Sequence, residues 1–198
     1  MKNKVLMGLV AVAMVAILSS CGKKPQAEID AANAAIEAAK TAEAPVYVAA
    51  EFAAVQDSLN AVMADITAQE SKLFKKFGPA KAKLTSIVTL ANTVATNAAT
   101  KKEEVKAETT TLLTGITTVI EENGKLIPKL PRGKEGAAVI EQIKADVATV
   151  DAAVVEAQGL FDKGSYMDAL NKIKAAKEKA DGVNAEVKEV LTKARIKF

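Results

Sequence analysis

The sequence predicts an all-α protein, an elongated antiparallel bundle of long helices forming one domain behind a signal peptide. Three observations carry that expectation. Apolar residues recur at spacings of three and four through most of the chain, the period of helices that bury one stripe. Strong breakers stand between the runs: Phe77-Gly78-Pro79, a segment at 125–136 with two prolines and two glycines, and Asp162-Lys163-Gly164-Ser165. Aromatics make up only 4% of the 198 residues, so the core must come from Ala, Val, Leu and Ile.

The elements follow in order. Residues 21–26 form a short tether, and 27–198 form the helical domain. Ile29, Ala32, Ile36 and Ala39 mark the first helix. Pro45 suits the first turn of the next, where its missing N–H costs nothing. Val48, Phe52, Val55, Leu59, Val62, Ile66 and Leu73 line that helix, with Gln69 the one polar residue in the series. A third stretch, from Ala80 to about Glu122, carries Leu84, Ile87, Ala91, Val94 and Ala98, thins across "ATKKEEVKAETTT", and returns at Leu112, Ile116 and Val119. With no proline inside, it reads as one helix of roughly 60 Å, although its threonines are poor helix formers. Asn123-Gly124 is expected to end it, with a loop to follow.

The last hairpin, residues 137–197, has the clearest pattern. Ile140, Ile143, Val147, Val150, Val154, Ala157 and Phe161 form one stripe; Tyr166, Ala169, Ile173, Ala176, Ala180, Val183, Val187, Val190 and Ala194 form the other. Gly164 suits the left-handed position after a helix, and Ser165 with Asp168 reads as a capping box. "LFKKFGPAKAKL" at 73–84 also resembles "LFDKGSYMDALNKI" at 160–173 if the second turn is two residues longer; Ala80, Leu84 and Ala91 then fall on Ala169, Ile173 and Ala180, consistent with a duplicated hairpin.

The amino-terminal segment has a different character. Met1-Lys2-Asn3-Lys4 is positive, and Val5 through Leu18 carries no charge. Fourteen residues fit the apolar region of a secretory signal and fall short of the ~18 or more of a membrane span. The only cysteine follows, in Leu18-Ser19-Ser20-Cys21. This run resembles the bacterial lipobox at every position. The resemblance implies cleavage between Ser20 and Cys21, diacylglycerol on the Cys21 sulfur and a fatty acyl group on the new amino terminus. Gly22 differs from the aspartate that retains such proteins at the inner membrane of enteric bacteria, so the resemblance implies the outer membrane, facing the periplasm. "AEAPVYVAAEFAAVQDSL" and "GLFDKGSYMDALNKIKAAKEKA" resemble an alanine-rich helical domain of unknown function found in Gram-negative envelope lipoproteins. The second stretch is also similar to one turn of a tetratricopeptide repeat, in Gly164, Tyr166 and Ala169.

Little in the chain points to chemistry. Histidine is absent, which removes hydrolytic triads, zincin sites and the usual bundle di-iron site. Glu103-Glu104 and Glu121-Glu122 are neighbours on a helix and do not face each other, so they read as solvated surface. Loss of Lys2 and Lys4 with the leader lowers the net charge from +3 to about +1, too little for a nucleic-acid footprint. No catalytic residue, metal, cofactor or small-molecule substrate is expected. Lys125, Lys129, Arg132 and Lys134 form a basic segment that is a candidate contact for anionic lipid or glycan. It is no phosphate loop, because Glu135 follows Gly133-Lys134. The expected role is a lipid-anchored scaffold or adaptor with an envelope protein as partner. The other reading is a module that binds a peptide, glycan or apolar ligand between hairpins.

Overall fold

In the computed structural model, which describes residues 23–131 and 134–198, every regular element is helical. The elements are α1 (Gln26–Thr41), α2 (Ala44–Tyr47), α3 (Ala49–Glu70), α4 (Gly78–Leu126), a 3-10 turn at Ile127–Lys129, α5 (Lys134–Asp162) and α6 (Tyr166–Lys193). The chain is an all-α bundle, as its stripes predict. Its contacts gather into two compact units that divide between Ala98 and Ala99, inside α4.

In the first unit, α1 contributes Ile29, Ala32, Ile36 and Ala39 to the buried set, and α3 contributes Phe52, Val55, Val62 and Ile66. From α4 come Ala80, Leu84, Ile87, Ala91, Val94 and Ala98. Polar pairs at the rim set the directions. Lys83 meets Asp65 at 2.8 Å, and Asn97 donates to Glu51 at 2.8 Å, so α3 and α4 run antiparallel. Lys24 meets Glu70 at 3.3 Å and Lys81 meets Glu28 at 3.0 Å. The start of α1, the end of α3 and the start of α4 therefore share one end of this unit.

In the second unit, the rest of α4 lies parallel to α6, with Lys174 2.6 Å from Glu108 and Lys188 2.8 Å from Glu122. The middle helix α5 is antiparallel to α6, with Lys172 2.7 Å from Glu156 and Lys179 2.8 Å from Asp146. Between the three helices lie two apolar clusters. Ile116, Val150, Ala157, Ile173, Ala176 and Ala180 make the first; Leu126, Leu130, Ile143, Val183, Val187 and Leu191 make the second. Alanines at the seam let backbones approach, and the larger side chains fill the space on either side of them.

Each unit thus has the same order, with its outer helices parallel and its middle helix reversed. The positions matched by the sequence resemblance agree in burial: Ala80, Leu84 and Ala91 against Ala169, Ile173 and Ala180, all buried. The turns do not agree. Leu73 and Phe74 are exposed, whereas Leu160 and Phe161 are half-buried.

Gly164 takes the left-handed conformation its position requires, at φ +82°. Ser165 N–H donates to the Leu160 carbonyl at 3.0 Å and Gly164 N–H to that of Phe161 at 2.9 Å, the paired bonds of a Schellman end. The same pair closes α6, where Ile196 donates to Leu191 at 2.9 Å and Arg195 to Thr192 at 3.0 Å. There Arg195, not a glycine, holds φ +58°.

Several sequence expectations need correction. α4 runs unbroken for 49 residues, past Asn123-Gly124 to Leu126. Asn123 does not stop it, because its side chain is buried and bonded across to α6 rather than to its own backbone. Most of the expected loop at 125–136 is helical, and Leu126 and Leu130 are core residues. α3 ends at Glu70, well before Phe77-Gly78-Pro79, and Leu73 leaves the stripe at 91% exposure. Pro45 does lie in the first turn of the next helix, but that helix is a separate one of four residues, and Val48, at φ −141°, interrupts the path to α3. Ser165 caps α6 without a side-chain bond, so the capping box with Asp168 does not form. Ala194, expected in the final stripe, is exposed.

The thin part of the α4 stripe is not empty. Val105 and Thr109 are buried there, and the Thr109 hydroxyl donates to the Val105 carbonyl at 2.7 Å. Thr110, Thr111 and Thr114 likewise donate to carbonyls four residues earlier, at 2.9, 3.0 and 3.0 Å. Each hydroxyl finds its partner inside the helix, so a threonine can face the core without an orphaned donor.

Candidate functional site

Ser20 and Cys21, the expected cleavage and lipidation site, lie outside the described residues, as does Arg132. Only the backbone of Lys134 is described, at the start of α5. Of the basic segment, that leaves Lys125, exposed in the last turn of α4, and Lys129, exposed in the 3-10 turn after it. Leu126 and Leu130 pack inward beneath them and hold the turn to the core.

The described chain starts at a built corner. Pro25 is buried and Lys24 is paired with Glu70 at the end of α3. Lys81 closes the same corner from α4 by pairing with Glu28, both side chains about three-quarters covered. After Glu70 the chain leaves helix for Ser71-Lys72-Leu73-Phe74-Lys75-Lys76, and the buried Phe77 returns it to the core. Periodicity assigns Leu73 to a buried stripe and misses this exposed apolar pair. The available signal is its bracketing by Lys72, Lys75 and Lys76.

The second unit carries an open groove of about 380 Å³ between α4 and α5, lined by Thr110, Leu113, Thr114, Thr117, Gln158 and Phe161. The Thr110, Thr114 and Thr117 hydroxyls already donate to their own helix, so the wall they offer is mainly methyl. Phe161 also packs on Tyr166, ring centroids 5.1 Å apart and tilted by 56°. The Lys106 and Lys102 ammonium groups stand 5.4 and 5.9 Å from the centre of the Tyr166 ring, within cation–π range. Tyr166 is thereby engaged at the start of α6, and Tyr47 is buried at the end of α2, in keeping with packing roles for both.

Ionisable groups sit mostly at the rim. A hydrogen bond from Lys188 holds the Glu122 carboxyl below its ordinary value, and bonds from Lys179 and then Gln142 do the same for Asp146. Lys193 lowers Glu189, and Glu104 raises Lys101. These are ion-pair effects at the surface. Among the described residues, no group of three or more Cys, Asp or Glu is placed to hold a metal ion, and no helix is long and apolar enough to cross a membrane.

Comparison with protein families, with characterised proteins and with solved structures finds no match to this chain.

Proposed function

We propose that this chain is a lipid-anchored lipoprotein of the bacterial cell envelope, held at the outer membrane facing the periplasm and serving as a scaffold or adaptor. The observation that carries the proposal is Leu18-Ser19-Ser20-Cys21, which begins at the last residue of the fourteen-residue uncharged run Val5–Leu18 behind a positive start. Two or more acyl chains on one residue make a stable anchor where a single chain holds only marginally. The scaffold role draws support from the packing. The interior is filled mainly by small and branched aliphatic side chains, with Tyr47, Phe52 and Phe77 among them, and every buried side-chain nitrogen or oxygen among the described residues has a partner. An interior of this kind favours rigidity over ligand exchange.

The groove between α4 and α5 favours a second reading, an envelope module that binds an apolar or peptide ligand over Leu113 and Phe161. Intact mass of the mature protein tests the anchor. The expected result is a chain beginning at Cys21 with added diacylglycerol and acyl mass, lost in Cys21→Ala; a mature chain without that mass overturns it. Crosslinking in intact cells then separates the roles. Protein neighbours on several faces fit a scaffold, and one ligand crosslinked only at the groove fits the binding module.

A further inference from the structure

Leu73 and Phe74 are the most exposed large apolar side chains among the described residues, at 91% and 80%. They sit side by side at the tip of a short segment, with exposed Lys72, Lys75 and Lys76 on either side. Both ends of the segment make contacts: Glu70 pairs with Lys24 at the surface, and Phe77 anchors the far end in the core at 1% exposure. The tip is therefore presented outward from a firm base, and nothing in its own unit covers it.

Its position gives the pattern a meaning. Lys24, paired to the residue where the segment begins, is three residues from Cys21. Whatever path those residues take, three peptide units reach at most about 11 Å. The apolar tip and the proposed lipid-bearing residue therefore belong to the same end of the first unit. An apolar pair flanked by lysines matches the chemistry of a bilayer surface, with acyl chains below and phosphate headgroups around.

We propose that the 71–76 segment is a second membrane contact: Leu73 and Phe74 enter the headgroup–acyl boundary beside the anchor, and Lys72, Lys75 and Lys76 meet the headgroup phosphates. This rests on the lipoprotein reading. It turns a single tether into a two-point attachment, which orients the first unit on the membrane. The lipid chains hold the protein at the surface, and the tip sets its tilt.

The absence of tryptophan from the chain allows a clean test. The full chain carrying Phe74→Trp is purified after maturation and reconstituted into vesicles of phosphatidylethanolamine and phosphatidylglycerol, with and without brominated acyl chains. A parallel sample carries Ala50→Trp, exposed near the start of α3 and about 30 Å along the helix from Glu70. The expected result is a blue-shifted indole in the Phe74→Trp protein that loses most of its emission to bromine. The indole of the Ala50→Trp protein stays water-like and unquenched. Water-like emission from Phe74→Trp on the vesicle overturns the proposal and assigns the tip to a protein partner. Equal quenching in the two variants also overturns it, because the whole helix face would then lie on the lipid. The intact mass of the same samples reports the anchor separately: acylated Phe74→Trp protein without quenching fails the tip alone, and unacylated protein fails the anchor.

Discussion

Asn184 donates through Nδ2 to the Oδ1 of Asn123 at 2.8 Å, and Asn123 donates through its own Nδ2 to the Ala180 carbonyl at 3.1 Å. Asn123 is one of two buried polar side chains among the described residues. It bonds α4 to α6 between the two apolar clusters of the second unit. An unbroken apolar seam would tolerate a slide of one turn, whereas a buried amide is satisfied in one register only.

That relationship predicts unequal costs at position 123. Asn123→Leu keeps much of the volume and removes the bonds, and should lose about 1 kcal/mol. Asn123→Asp replaces the donor facing Ala180 with a buried charge and should lose about 2 kcal/mol or more at neutral pH. Burial raises the carboxyl's native value, so the penalty is greatest above it and shrinks as the group protonates. Urea melts of both variants at neutral and mildly acid pH check this; a constant gap between them contradicts it.

The core of the second unit predicts a sharp contrast between adjacent residues. Ile173 is fully buried in the first cluster, so Ile173→Asp should cost several kcal/mol, a large share of the ~5–15 typical of a domain. Lys174 faces outward but pairs with Glu108 at 2.6 Å, so Lys174→Asp would set two carboxylates together. Lys174→Gln is the neutral change, and it should stay within about 0.5 kcal/mol of wild type. Circular-dichroism melts compare the three, and equal stability of Ile173→Asp and Lys174→Gln would exclude the cluster as a core.

Two glycines predict opposite signs. Neither Gly164 nor Gly182 has an atom within 4 Å of where a Cβ would stand, so crowding plays no part. Gly164 holds φ +82°, and Gly164→Ala should lose about 1 kcal/mol to backbone strain. Gly182 lies inside α6, and Gly182→Ala should gain about 0.5–1 kcal/mol. Thermal melts that move in the same direction would refute the helix-end geometry.

Acid should weaken the second unit through Asp146. Its native value lies below the ordinary 3.8 because Lys179 and Gln142 bond the carboxylate. A depressed carboxylate contributes its stability in full above the unfolded value and loses it as pH falls through the native one. Wild type should therefore exceed Asp146→Asn in urea midpoint at neutral pH, and the difference should vanish below the depressed value. Glu122, lowered by Lys188, acts in the same direction. A difference that persists in strong acid would show that Asp146 stabilises by packing, not by charge.

Much of the fold is legible in the order of residues. The three-four spacing of Leu84, Ile87, Ala91, Val94 and Ala98 marks a buried helix face correctly, because burial of one stripe is what holds a helix in a bundle. Gly164 is equally readable, since a left-handed residue at a helix end is a local requirement. Asn123-Gly124 misleads because the same asparagine that favours turns can spend its amide on another helix. Thr109 escapes the stripe count because a threonine hydroxyl satisfied within its own helix behaves as an apolar surface, and Val105 because it stands alone among charged neighbours. The capping box fails at Ser165 because the Schellman bonds already fix the path of the turn.

By itself the sequence determined the helical class and the turn of the final hairpin at Gly164, both of which depend on residues near one another in the chain. Tertiary structure alone decided the pairing of Lys24 with Glu70, the Asn123–Asn184–Ala180 bonds, and the exposure of Leu73 and Phe74. Each depends on which helix ends meet in space. Periodicity tells a helix which face to bury but does not name the neighbour that covers it, and an apolar residue past the last covered turn is left facing outward.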